Sequence, residues 1–205
     1  MAGSEDVACW IRGLSNPDTQ VRARAATGLY LRGLEPAGRA LASLGPNREF
    51  RNLIHSLRRG EDPADPNGRP RFIIGIAVQP ATFEKIRIAN GSPALADVPP
   101  DQDAIEFELE FENHLELDIL TTKDPQGNGA IARFLKKSGE GIQQVELYVR
   151  DVERATEIFR AQLSVQPIYP ATRAGANGTR VNFFLLPSGE SGKVLLELVE
   201  SGPFT

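Results

Sequence analysis

From Ser4 to about Leu57 the apolar residues recur three and four positions apart: Val7, Trp10, Ile11 and Leu14, then Val21, Ala25, Leu29 and Leu31, then Leu41, Leu44, Phe50, Leu53 and Ile54. That spacing lines one face of a helix and predicts helices throughout the segment. Ser4 followed by Glu5 and Asp6 supplies a helix start, because a side-chain oxygen can accept from an orphan N–H and early acids suit the positive end of the dipole. Asn16-Pro17-Asp18 repeats the arrangement for a second helix.

The stretch from Asn16 to Leu29 looks like one unit of a HEAT-type helical repeat, but no second copy follows, and a solenoid needs about three units to bury its faces. Residues 1–60 are therefore expected to form a helical extension packed on the main domain. Residues 61–70 are rich in proline, glycine and charge and read as a linker.

Beyond the linker the period changes. Phe72–Val78 is an apolar run of strand length, and 80–89 is a helix with Pro80 near its start and Asn90-Gly91 at its end. A short strand is expected near Ala94–Val98. Ile105–Phe111 and Leu115–Thr121 alternate apolar and acidic residues about a turn at Asn113-His114. Residues 128–137 read as a connecting helix, capped by Asn128 and stopped at Ser138-Gly139. The order then repeats: a strand over Ile142–Val149, a helix over Asp151–Leu163, a strand over Val165–Tyr169, and a hairpin of Thr179–Leu186 with Lys193–Glu200. Residues 71–205 thus form an α+β domain of paired βαβββ modules, halves 72–122 and 141–200, making a curved sheet around a cleft.

Superposing the halves sets Val78 on Val149, Ile73 on Gln144 and Asp118 on Glu197. One side chain from each first strand and one from each last strand would then converge: Ile73, Gln144, Asp118 (or Glu116, on the same strand face) and Glu197. Two carboxylates and an amide oxygen are hard donors that suit Mg²⁺, Mn²⁺ or Ca²⁺ better than zinc. The plainer reading is that Glu116, Asp118 and Glu197 are only the polar face of half-exposed strands. The loop from Arg173 to Arg180, cationic at both ends and centred on Gly175, either closes over an anionic substrate or merely connects two strands.

Net charge narrows the field. At −4 over 205 residues, with a pI near 5.3, the chain has no broad positive field for nucleic acid or anionic lipid. The arginines gathered before Arg71 are read as a solvated helical surface. A single cysteine, Cys9, excludes an internal disulfide and a cysteine-based zinc site and fits a reducing compartment. With no secretory leader pattern and no apolar run of about 20 residues, the expectation is a cytoplasmic protein. No nucleophile elbow, phosphate loop or His-Glu-x-x-His pattern occurs. His55 and His114 fall in a helix and a turn, away from the carboxylates.

The run Gly139-Glu-Gly-Ile-Gln-Gln-Val145, with the strand and Asp151-led helix after it, resembles the segment of methylmalonyl-CoA epimerases that reads Gly-Glu-Gly-Ile-His-His-Ile. Ala130–Leu135 is similar to the helix before it, Gly175–Phe183 to the glycine loop and strand after it, Gly192–Glu200 to the terminal strand and Ile74–Val78 to the opening strand. The resemblance covers about residues 72–200. It implies the vicinal-oxygen-chelate fold, often paired as a homodimer. It also implies a divalent metal held at the positions of Ile73, Gln144, Glu197 and a residue on the strand of Glu116 and Asp118. That metal polarises a thioester carbonyl while a carboxylate moves the neighbouring proton.

Here Glu197 matches outright and Asp118 matches through the duplication. Isoleucine cannot ligate, and Gln144 lacks the affinity of imidazole for Co²⁺, Zn²⁺ or Ni²⁺. The expected metal residues are Gln144, Asp118 and Glu197, with an ion such as Mg²⁺, Mn²⁺ or Co²⁺ or none at all. Glu197 and Glu106 are expected in proton transfer, and Arg173, Gly175 and Arg180 against a small carboxylate or thioester. The alternative is a non-catalytic metabolite-binding or scaffold module whose helical extension serves a protein partner.

Overall fold

The computed structural model describes residues 4–44, 71–189 and 192–200. The linker expected at 61–70, the apolar positions from Phe50 to Ile54, and His55 lie outside the described residues. So does the domain boundary placed there. Two helices come first, α1 (Ser4–Gly13) and α2 (Thr19–Ser43). The second apolar group and Leu41 of the third lie in α2, which runs through Pro36.

Next come β1 (Phe72–Ala77), α3 (Pro80–Ala89), β2 (Ile105–Phe111), β3 (Leu115–Thr121) and α4 (Ala130–Ser138). The chain ends with β4 (Gly141–Tyr148), α5 (Val152–Ala161), the two-residue β5 (Arg173–Ala174), β6 (Arg180–Ser188) and β7 (Gly192–Glu200). The class is α+β, two copies of a strand-helix-hairpin unit behind an N-terminal helix pair. The chain divides into two compact units. One joins the helices up to Gly33 to Ile73–Gln144, and the other joins Leu34–Phe72 to the segment from Val145 onward.

In the first unit the strand order is β2-β3-β1. Alternation decides the faces: Phe107 and Leu109 are buried while Glu108 and Glu110 are exposed. Phe83 of α3 meets Phe107 edge to face with ring centroids 4.8 Å apart, a geometry worth about 0.5–1.5 kcal/mol beyond buried area. α1 and α2 as far as Gly33 are built into this unit. The Trp10 ring occupies the space beside Gly28, and the Ile74 side chain of β1 fills the space beside Gly33. Asn90, which ends α3, donates its side-chain amide to the Leu14 carbonyl at 2.9 Å.

In the second unit the order is β4-β7-β6-β5. Leu147, Leu196, Leu198, Phe184 and Leu186 share a core with Phe159 of α5 and with Ala40 and Leu41 of α2. Asp151 caps α5 as expected, accepting from the Arg154 N–H at 2.8 Å.

Three local expectations are corrected. Ala94–Val98 forms no strand: one bond, from the Ala96 N–H to the Glu106 carbonyl at 2.9 Å, ties it to β2, and Pro93, Pro99 and Pro100 cannot donate to a ladder. Val165–Tyr169 forms only a bridge from Pro167 to Phe184, with Pro167 again lacking a donor and Ser164 at φ 57°. The connecting helix is capped by Gly129, with no side-chain cap from Asn128, and ends at Gly139, φ 74°, as predicted. Among the described residues no helix is long and apolar enough to cross a membrane.

Candidate functional site

In the first unit, β1 and β3 run parallel with Ile73 level with Glu116 and Gly75 level with Asp118. Paired residues project from the same side of a sheet, so Ile73, Glu116 and Asp118 share a face. Across β2 that face continues with Glu108 opposite Asp118 and Glu106 opposite Leu120. Gln144 comes to the same place: its Cγ lies 2.5 Å from where a Cβ on Gly75 would stand. Three of the four expected positions, Ile73, Asp118 and Gln144, are therefore gathered on one face, and all three are buried. His114 is exposed at the tip of the β2–β3 turn.

Glu106 sits where this face meets apolar cover. Its partner Leu120 belongs to a cluster with Ala77, Ala104, Ile131 and Leu135, joined by Val98 and Phe134. Burial, and then the charge of Glu108, push the Glu106 carboxyl from its ordinary 4.5 up to about 7 against the opposing pull of Lys123. Burial, and then Glu116, raise the phenol of Tyr30 of α2.

In the second unit Glu197 lies directly across the parallel β4–β7 pair from Glu146, and both are less than a tenth exposed. The duplication that sets Ile73 on Gln144 sets Gly75 on Glu146, so the Gly75–Asp118 relation recurs as Glu146–Glu197. Phe183 lies across β6 from Glu197 and meets Tyr169 edge to face at 5.9 Å. The Arg173 guanidinium stacks 4.7 Å from the Tyr169 ring centre. In the next row Tyr148, Val199, Val181 and Arg173 stand level across four strands, with Arg71 4.1 Å over the Tyr148 ring. Glu146, Tyr148, Tyr169 and Arg71 were missed in the sequence. Gln144, Glu146 and Tyr148, each two apart on one strand, were the available signal.

The loop from Arg173 to Arg180 is a tight hairpin rather than a lid. Gly175 donates to the Thr179 carbonyl at 2.8 Å and is buried, and a Cβ there would come 2.4 Å from the Thr179 hydroxyl. Its two arginines diverge. Arg173 pairs with Val181 and Arg180 with Ala174 and Glu200, so they project to opposite faces. Arg180 pairs there with Glu153 and, at 3.6 Å, with Glu200. It does not join Arg173 around one anion, because strand alternation separates them. Asp151, Glu153 and Glu200 bring three carboxylates together at this corner, and Arg180 answers two of them.

The metal implied by the resemblance is held by imidazole, and these side chains do not reproduce that donor set. Ile73 is aliphatic and fully buried, and Gln144 offers a neutral amide. Oxygen donors alone do not fit a borderline transition ion.

No family model and no curated protein matches the chain. Among solved structures, methylmalonyl-CoA epimerase from Mycobacterium tuberculosis is 30% identical with a TM-score of 0.52, covering 64% of this chain and 87% of that one. The chain belongs to the vicinal-oxygen-chelate superfamily. This vicinal-oxygen-chelate protein is also similar to a methylmalonyl-CoA epimerase solved with methylmalonyl-CoA and NH4+, at 26% identity and a TM-score of 0.50, over 64% of this chain and 93% of that one. A variant of the Streptomyces coelicolor epimerase, solved with 2-nitronate-propionyl-CoA, gives 26% and 0.50 over 63% and 95%.

Proposed function

We propose that this vicinal-oxygen-chelate protein is a cytoplasmic enzyme that moves a proton beside the carbonyl of a small carboxylate or thioester, with its ancestral metal site degraded. The observation that carries the reading is Glu106, a half-buried carboxyl brought close to neutrality on the face that gathers Asp118 and Gln144. A base whose pKa lies near the working pH is deprotonated often enough to accept a proton and basic enough to hold it.

In this reading Glu106 takes the proton from the carbon next to the carbonyl. The Gln144 amide then donates to the oxygen that gains charge, a role worth about 2.7–4 kcal/mol for one well-aimed donor. Glu197 is the second carboxylate of the proposal. Arg173, backed by Tyr169, receives an anionic group of the substrate, and Gly175 keeps its hairpin tight. The thioesters bound in the neighbouring structures support this substrate class. No step is assigned to a metal.

The test is hydrogen–deuterium exchange at the α-carbon of methylmalonyl-CoA, followed with native protein and with Glu106→Gln and Glu197→Gln, beside calorimetry with Mg²⁺, Mn²⁺ and Co²⁺. Exchange that falls about 10²–10⁴-fold in the Glu106 variant, with little heat from the metals, supports the reading. Absence of exchange in native protein removes it.

The buried Ile73 at a ligand position favours a second reading, a non-catalytic metabolite-binding module. On that reading Glu197→Gln leaves ligand affinity nearly unchanged.

A further inference from the structure

We propose that Asn182 is a positioning residue for Arg173, acting from the opposite face of β6 through the mounting of Tyr169. The proposal rests on the reading of Arg173 as the residue that receives the anionic group of a ligand. Tyr169 stands between the Pro167 bridge and β5, where the chain forms no strand, and Pro170 after it has no N–H to give. Its ring nevertheless has a defined place, meeting Phe183 edge to face at 5.9 Å and carrying the Arg173 guanidinium at 4.7 Å. A support other than a ladder must hold it there.

Asn182 supplies that support. It lies level with Leu198 on the apolar face of β6, two residues from Phe184, and is fully buried. A buried amide costs stability unless its donors and acceptor are met, so packing alone would favour leucine at this position. Here they are met. Nδ2 donates to the Tyr169 carbonyl and to the Thr156 hydroxyl of α5, each at 3.4 Å, and Oδ1 accepts from the Phe183 N–H at 2.9 Å. The two longer bonds are backed by a short one, from the Ile168 N–H to the Phe183 carbonyl at 2.7 Å. At the far end the Thr172 hydroxyl donates to Glu153 of α5 at 2.7 Å. Glu153 and Thr156 are three apart and share one face of α5. That face therefore holds both ends of the segment from Tyr169 to Thr172, immediately before Arg173. Arg173 pairs with Val181, whose side chain lies on the face opposite Asn182, so Asn182 reaches the guanidinium only through Tyr169. A guanidinium stacked on a fixed ring has less freedom left to lose when it takes up an anion.

The experiment follows the Arg173 Nε–H resonance by nuclear magnetic resonance in the full chain, beside calorimetric titration with methylmalonyl-CoA. The proteins are native, Asn182→Leu, Tyr169→Leu, the double variant of those two, and Thr172→Val. The Tyr169 ring current shifts the native resonance, and Asn182→Leu should move it most of the way to its place in Tyr169→Leu. Affinity should fall about three- to tenfold in Asn182→Leu, and the double variant should bind no more weakly than Tyr169→Leu alone. A resonance unmoved in Asn182→Leu, or losses that multiply in the double variant, overturns the assignment. Should Asn182→Leu lose its fold, Thr172→Val decides: it cuts the other tie at the surface and should move the resonance the same way by less. Binding by Arg173→Met reports separately on the anion reading. A moved resonance with native affinity in Arg173→Met keeps the mounting and sinks that reading.

Discussion

The Cγ of Gln144 occupies the space that a side chain on Gly75 would need, 2.5 Å from the position of its Cβ, with Leu120 Cδ1 at 3.1 Å on the other side. Glycine in a strand costs about 0.5–1 kcal/mol against alanine, so backbone entropy alone favours Gly75→Ala. The overlap decides otherwise, since forcing an extra methyl into a packed site costs about 1–3 kcal/mol. Gly75→Ala should lower stability in urea denaturation and turn Gln144 away from Asp118. A variant as stable as the native protein, with Gln144 unmoved in its crystal structure, would show that the strand yields instead.

The raised carboxyl of Glu106 makes stability depend on pH with a definite sign. The folded chain keeps this proton up to about 7, whereas the unfolded chain releases it near 4.5. The contribution is therefore complete below 4.5 and is lost as pH rises through about 7. A difference of that size corresponds to at most roughly 3 kcal/mol, and solvent screening at a half-buried group brings it to about 1–2 kcal/mol. Between pH 4.5 and 8 native protein should lose about that much stability relative to Glu106→Gln. Parallel curves for the two proteins would contradict the shift. On the proposed function, exchange activity rises across the same interval and levels off above it.

Much of this was legible in the sequence because it rests on strict periodicity. The acidic alternation of β2 and β3, the apolar run of β1 and the duplicated strand-helix-hairpin order fixed which side chains share a face. Asp118 and Gln144 were accordingly found together. The parts that were not legible depend on single donors and on register. The segments at Ala94–Val98 and Val165–Tyr169 have strand composition, but prolines flanking the first and Pro167 inside the second withhold N–H groups a ladder requires. The divergence of Arg173 and Arg180 follows from the β5–β6 register, which sets them in adjacent rows on opposite faces and which composition does not reveal. Glu146 was overlooked because only its partner, Glu197, had an equivalent in the first half that carries a side chain. The hydrogen bonds of Asp103 to Thr122 and Lys123 join residues about 20 apart through loops, where no period operates.

α1 and the first half of α2 should prove integral to the first unit. A Cβ on Gly28 would stand 2.5 Å from the Trp10 ring. Helix propensity favours Gly28→Ala by about 1 kcal/mol, but a rigid indole cannot withdraw as a flexible chain end can, and overpacking costs about 1–3 kcal/mol. Gly28→Ala should therefore destabilise the protein, and Trp10→Leu should relieve part of that loss in the double variant. A double-mutant cycle in urea measures the coupling. Strictly additive effects would mean that the two helices do not pack in solution as they do here.

The opposed directions of Arg173 and Arg180 separate two roles that looked equivalent in the sequence. Arg180 is half exposed and pairs with Glu153 and Glu200 at the surface, where ion pairs are worth about 0–1 kcal/mol. Arg180→Met should thus change stability by less than about 1 kcal/mol and leave ligand binding as it was. Arg173 lies over Tyr169 on the face that carries Glu197, and a cation stacked on a ring at such a site contributes about 0.5–2 kcal/mol. On the proposed function Arg173→Met should weaken binding of methylmalonyl-CoA by about tenfold, while Arg173→Lys, which keeps the charge but loses the planar stack, recovers only part of it. Calorimetric titration of the three variants distinguishes the faces: an affinity loss confined to Arg180→Met would place the anion on the opposite side of the sheet from the one argued above.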